Sequence, residues 1–240
     1  MLKKILLILI LISMFLIGIN VKDNKISYIS IGDGLSKGMN YNNFESIGYS
    51  DYIYNYLKKD NKIELYTKEF SNENNRITDL IDDINNNISI KVDNKKIYIQ
   101  NAIKNAEILT ISIGMNEILY KYSNHVNNGY MYSYIGECIS DLDKLLKIIT
   151  KLNKNDIFLL GFYNPTSDTE LNEFIKYTNN KIEDLCNKYK INYIDTYNIF
   201  NNNKHMIYSE NNYYPNQDGY KLIANAVKSK LNLNNNLNNS

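Results

Sequence analysis

The alternation of apolar and polar positions divides this chain into strands and helices in turn. Ile26, Tyr28, Ile29 and Ile31 form a short run broken by Gly32 and Gly34, which reads as a largely buried parallel strand ending in a tight turn. Further strands are predicted over Ile63–Phe70, Ile108–Ile113, Ile157–Phe162 and Tyr193–Asp195. Helical spacing marks Tyr49–Leu57, Thr78–Ile88, Ile97–Ala106, Tyr132–Leu152, Leu171–Tyr189 and Asp218–Leu231. Regular alternation of strand and helix predicts an α/β fold: a three-layer α/β/α sandwich around a five-stranded parallel sheet. In flavodoxin-like order, 2-1-3-4-5, the first and third strands flank the point where ligands bind. The glycine-punctuated ends Gly32-Asp33-Gly34 and Gly114-Met115-Asn116 follow those two strands.

The first residues follow another pattern. Lys3 and Lys4 precede an apolar run from Ile5 to Ile19, without a small-x-small cleavage site after it or a lipid-acceptor cysteine at its end. Residues 1–22 are therefore expected to be an uncleaved membrane anchor, with cleavage to a secreted domain as the alternative. Lysines ahead of the span predict an extracytoplasmic domain. Residues 23–231 form that domain, and the Asn-rich residues 232–240 are expected to fray.

Composition narrows the chemistry. Of 240 residues 44% are hydrophobic, enough for one sizeable core. The net charge of +1, without a basic stripe interleaved with aromatics, argues against nucleic acid as a partner. Cys138 and Cys186 fall on apolar helix faces and read as core residues. Two isolated histidines, His125 and His205, and carboxylates without ligand spacing give no metal site, and no cofactor is implied.

The stretch Gly32-Asp33-Gly34-Leu35-Ser36-Lys37-Gly38 resembles the first motif of the SGNH/GDSL hydrolases, Gly-Asp-Ser-Leu-Ser/Thr-x-Gly. The nucleophilic serine position is here Gly34. Gly114-Met115-Asn116-Glu117 resembles the third motif, which implies that Asn116 donates to an oxyanion; alternatively Asn116 caps a helix over Glu117–Tyr122. The second motif's oxyanion glycine aligns with Asn74, which tolerates positive φ better than most residues. The last motif, Asp-x-x-His-Pro-Asn, is matched by Pro215, Asn216, Gly219 and Tyr220. That frame puts Asn211 at the acid position and Tyr214 at the base position.

All three triad positions are thus replaced. Glycine has no nucleophilic atom, and tyrosine, with a reference pKa of about 10, is a poor base at neutral pH. Asparagine brings no charge to hold an imidazolium. The resemblance implies an SGNH-like protein without the family's esterase machinery. Such a protein would bind an acylated envelope glycan, a lipid or a protein, with Asp33, Asn116, Tyr213 and Tyr214 as binding residues and Tyr163 near them. The alternative is an active ester hydrolase with a rearranged site, for which Ser36 and His205 are the relocated candidates. Glu117 and Glu210 are conceivable as a glycosidase pair. A third reading is a structural protein whose cleft is filled, and Tyr214 packed above Gly34 is its expected sign.

Overall fold

The computed structural model describes residues 25–59, 63–209 and 212–231. The expected anchor over 1–22 and the tail over 232–240 lie outside the described residues, as do Glu210 and Asn211. Five parallel strands make the main sheet: β1 (Ile26–Gly32), β2 (Ile63–Ser71), β5 (Ile108–Ser112), β6 (Asp156–Leu160) and β7 (Asn192–Ile194). Their order is β2-β1-β5-β6-β7, the flavodoxin-like 2-1-3-4-5 order expected. β1 is central and buried along its whole length because it pairs on both sides and is covered on both faces.

Right-handed crossovers place the helices in two layers. α2 (Tyr49–Lys58) and the last helix, α9 (Gln217–Lys230), pack together on one face. On the other, α6 (Asn128–Leu152) packs against α3 (Ile77–Asn85) and α7 (Thr169–Tyr189). Cys138 and Cys186 are buried on α6 and α7 with free thiols.

Three short elements depart from the periodicity. Asn87 takes a positive φ of 49°, which ends α3 before the expected Ile88. The chain then forms a hairpin, β3 (Ser89–Val92) with β4 (Lys95–Tyr98), before α4 (Ile99–Asn105). Asp93 and Asn94 both take positive φ, as a two-residue hairpin turn requires, so Ile97 and Tyr98 are strand residues and not the start of a helix. Asp195, expected to end a strand, caps α8 (Thr196–Asn201) by accepting from the Asn198 N–H at 3.0 Å. A 3-10 turn (Lys204–Met206) and the hairpin β8 (Ile207–Ser209) with β9 (Asn212–Pro215) lead into α9.

Candidate functional site

The site lies at the carboxyl ends of β1 and β5. At Gly32 (φ +133°), an added Cβ would meet the Ser112 carbonyl oxygen at 1.8 Å, so only glycine lets the two strand ends approach. Asp33 follows, buried. Its N–H donates to Ser112 O at 2.8 Å, and its Oδ1 accepts from Ser112 Oγ at 3.0 Å and from Leu35 N–H at 3.1 Å. The side chain thus joins the strand ends and caps α1 (Gly34–Lys37), a single turn closed by Gly38 at φ +83°. Burial outweighs these hydrogen bonds and pushes the carboxyl up to about 7. Asp33 was expected to bind ligand; its carboxylate is engaged inside the fold.

Gly34 is buried at the start of α1 without a positive φ, so the backbone does not demand glycine there. The space does. A Cβ on Gly34 would lie 2.1 Å from the Tyr214 hydroxyl oxygen and 2.7 Å from Cζ. Tyr214, from β9, therefore fills the volume a nucleophilic side chain would occupy. Burial first, then the nearby Asp33 and Glu73 carboxylates, push its hydroxyl above the ordinary tyrosine range, while the Asn116 side chain pulls it back. Such a phenol stays protonated at neutral pH.

Asn116 lies in the first turn of α5 (Met115–Ser123), whose N-cap is Gly114 at φ +100°. It is not the cap that its position suggested. Its Nδ2 donates to Glu73 O at 3.1 Å and also acts on the Tyr214 hydroxyl. The amide that would face an oxyanion is occupied. Asn74 is exposed, does not take a positive φ, and donates its N–H to Asn72 Oδ1 at 3.2 Å. Glu117 Oε2 accepts from Ile77 N–H at 2.9 Å and anchors the start of α3; burial raises its carboxyl.

The retained motif residues hold the scaffold. Asn216 Oδ1 accepts from Asp218 N–H and Gly219 N–H at 3.0 and 2.9 Å and caps α9. A Cβ on Gly219 would meet Pro215 Cβ at 2.8 Å. Tyr220 donates to Met39 O at 2.6 Å, tying α9 to the loop after α1. Tyr163 is fully buried, with its ring against Phe200 and its hydroxyl donating to the Tyr213 carbonyl, so it supports β9 from beneath and offers no ring to a ligand.

Ser36 is fully buried; its hydroxyl donates to Ile31 O at 2.9 Å and bonds the Tyr49 hydroxyl at 2.9 Å. His205 is exposed on the 3-10 turn, and His125 is exposed at the end of α5 with φ +52°. The structure does not bring Ser36 and His205 together as a dyad.

Beside Tyr214 an open cleft of about 630 Å³ remains. Asn74, Asn116, Glu117, Tyr213 and Tyr214 line it among the residues singled out from sequence. Tyr41, Asn43, Glu73, Arg76, Tyr120 and Tyr134 also line it and were not anticipated. They come from four segments, the loops after α1 and β2 and the helices α5 and α6, and tyrosine and asparagine are too frequent here for any one to stand out. Tyr120 is 71% exposed and Tyr41 48%. Amide and phenol groups beside open ring faces suit polyhydroxylated ligands.

The family model for GDSL-like lipase/acylhydrolase matches residues 28–227. No curated protein matches. Among solved structures, a lipase from a goat rumen metagenome is similar at 19% identity and a TM-score of 0.70, covering 85% of this chain and 97% of its own. The acetylxylan esterase Axe2 from Geobacillus stearothermophilus is similar at 16% identity and a TM-score of 0.62, covering 85% and 94%. At these identities the likeness is one of fold.

Proposed function

The chain belongs to the GDSL-like lipase/acylhydrolase family, and from that premise we propose that it is a non-hydrolytic member that binds an acylated envelope glycan. One observation carries the loss of chemistry: the Tyr214 hydroxyl stands 2.1 Å from where a Gly34 Cβ would be. Acyl transfer needs a nucleophile, a base and donors aimed at the oxyanion. Here the first site is filled, the base position holds a protonated phenol, and the Asn116 amide is engaged by Glu73 O. The polar, aromatic-rimmed cleft beside Tyr214 supports a glycan over a lipid, and the fold likeness to an acetylxylan esterase is consistent with that class. The apolar run in residues 1–22 supports a membrane-anchored, extracytoplasmic setting.

A second reading has its own support. Tyr214 over Gly34 is the sign expected of a structural protein with a filled cleft; the remaining 630 Å³ favours binding instead.

Assays of hydrolysis and of binding separate these readings. The protein should hydrolyse short-chain p-nitrophenyl esters no faster than buffer, and a serine-directed phosphonate should leave it unlabelled. Robust turnover that depends on Asn116 would overturn the non-hydrolytic reading. Calorimetric titration with acetylated xylo-oligosaccharides should give binding that Tyr120→Ala weakens about tenfold or less, since aromatic contacts at exposed sites are modest. Silence in both assays would favour the structural reading.

A further inference from the structure

The two edges of the sheet differ in charge. All five strands are parallel, so the segments that feed them gather at the amino edge. The segment between α3 and β5 exposes Lys91, Lys95, Lys96 and Lys104 against Asp93 and Glu107. It is held at that edge by Gln100 Nε2 donating to Ile84 O, and by Asn153 Nδ2 donating to the Ile103 and Ala106 carbonyls. Exposed Lys58 and Lys59 close α2 ahead of β2; Lys151 and Lys154 precede β6; Lys25 stands directly before β1.

None of these lysines forms an ion pair among the described residues. Around the carboxyl edge four cations are paired: Lys37 with Glu69 at 2.8 Å, Lys68 with Asp51 at 2.8 Å, Arg76 with Asp79 at 3.3 Å and Lys221 with Asp218 at 2.8 Å. With a chain net charge of only +1, the surplus at one edge is a polarisation of the molecule. Helix C-termini favour lysine through the helix dipole, which accounts for Lys58, Lys104 and Lys151. It does not account for Lys91, Lys95 and Lys96, which lie on hairpin strands.

The chain also enters at this edge. The apolar segment ends at Val21, and only Lys22, Asp23, Asn24 and Lys25 separate it from β1. Fully extended, that tether spans about 15 Å, which leaves the amino edge within reach of a surface potential that decays over about 8 Å at physiological salt.

We propose that the amino edge, led by Lys91, Lys95 and Lys96, docks on anionic phospholipid headgroups and holds the cleft facing away from the bilayer. The proposal rests on the reading of residues 1–22 as a membrane segment. The cleft's ligand would then come from the space beyond the membrane.

The test loads the full chain into nanodiscs of phosphatidylcholine, alone or with phosphatidylglycerol. A water-soluble amine-acylating reagent reports lysine access by peptide mass spectrometry. Phosphatidylglycerol should lower labelling of Lys91, Lys95 and Lys96 several-fold, high salt should restore it, and Lys204, on the 3-10 turn that leads to β8 and β9, should be unaffected. Equal labelling in both lipids, or protection of Lys204 instead, overturns the proposal. Failure to load into phosphatidylcholine discs defeats the anchor reading separately. The face is then read by co-sedimentation of the same chain with phosphatidylglycerol vesicles: loss of binding in K91E/K95E/K96E supports it, and absence of wild-type binding overturns it.

Discussion

At the residue scale, Gly34 and Tyr214 are one feature. The tyrosine hydroxyl occupies what a side chain at position 34 would need, so substitutions at the two positions should be strongly non-additive. Gly34→Ala should cost about 1–3 kcal/mol in the wild type through overpacking. In a Tyr214→Ala background it should be neutral or stabilising, since alanine favours the helix by up to about 1 kcal/mol. Denaturant unfolding of the four proteins checks this; equal costs in both backgrounds would refute the overlap. Asp33 gives a pH prediction. Its carboxyl titrates at about 7 in the folded protein, well above the ordinary carboxylate of the unfolded chain. Between those values the folded state keeps a proton the unfolded state has lost, so Asp33's own contribution to stability is fullest below about pH 4 and falls as pH rises towards about 7, by at most about 1.4 kcal/mol per unit. Asp33→Asn keeps the acceptor for Leu35 and Ser112 and should remove that slope. Parallel melts across the window would detect it.

At the scale of elements, the long apolar stripes were legible and the polar clamps between them were not. α6 and α7 follow their spacing, and the parallel sheet follows from the alternation of strand and helix. Asn179 illustrates what was hidden. It sits on α7, where an asparagine carries no signal in a chain so rich in them. The fold directs its Oδ1 to Phe162 N–H and its Nδ2 to Phe162 O, both at 2.7 Å. Asn179→Leu would orphan both backbone groups in a buried site. A loss of about 2–5 kcal/mol is expected, read as a lower denaturation midpoint with an unchanged m-value. The β3–β4 hairpin was missed for a different reason. Its turn is Asp93-Asn94 and not the familiar Asn-Gly, and Ile97 and Tyr98 run directly into the apolar residues of α4 with no break between them.

At the scale of the molecule, the family's scaffold is kept. Pro215, Asn216, Gly219 and Tyr220 hold α9 in place through packing, a cap and a tie to the loop after α1. The polarity of charge between the two edges is likewise a property of the assembled fold, because its lysines come from segments far apart in the chain. Periodicity by itself determined the α/β/α architecture and the parallel sheet, and residue identity determined that position 34 is a glycine, because backbone pattern and residue identity are local. Tertiary structure alone decided that Tyr214 fills the space above Gly34, that Asn116 is bound to Glu73 O, that Ser36 is sealed in the core, and that an open cleft remains beside them. Volume and hydrogen-bond partnership belong to pairs of residues distant in sequence, and only the packed chain brings those pairs into contact.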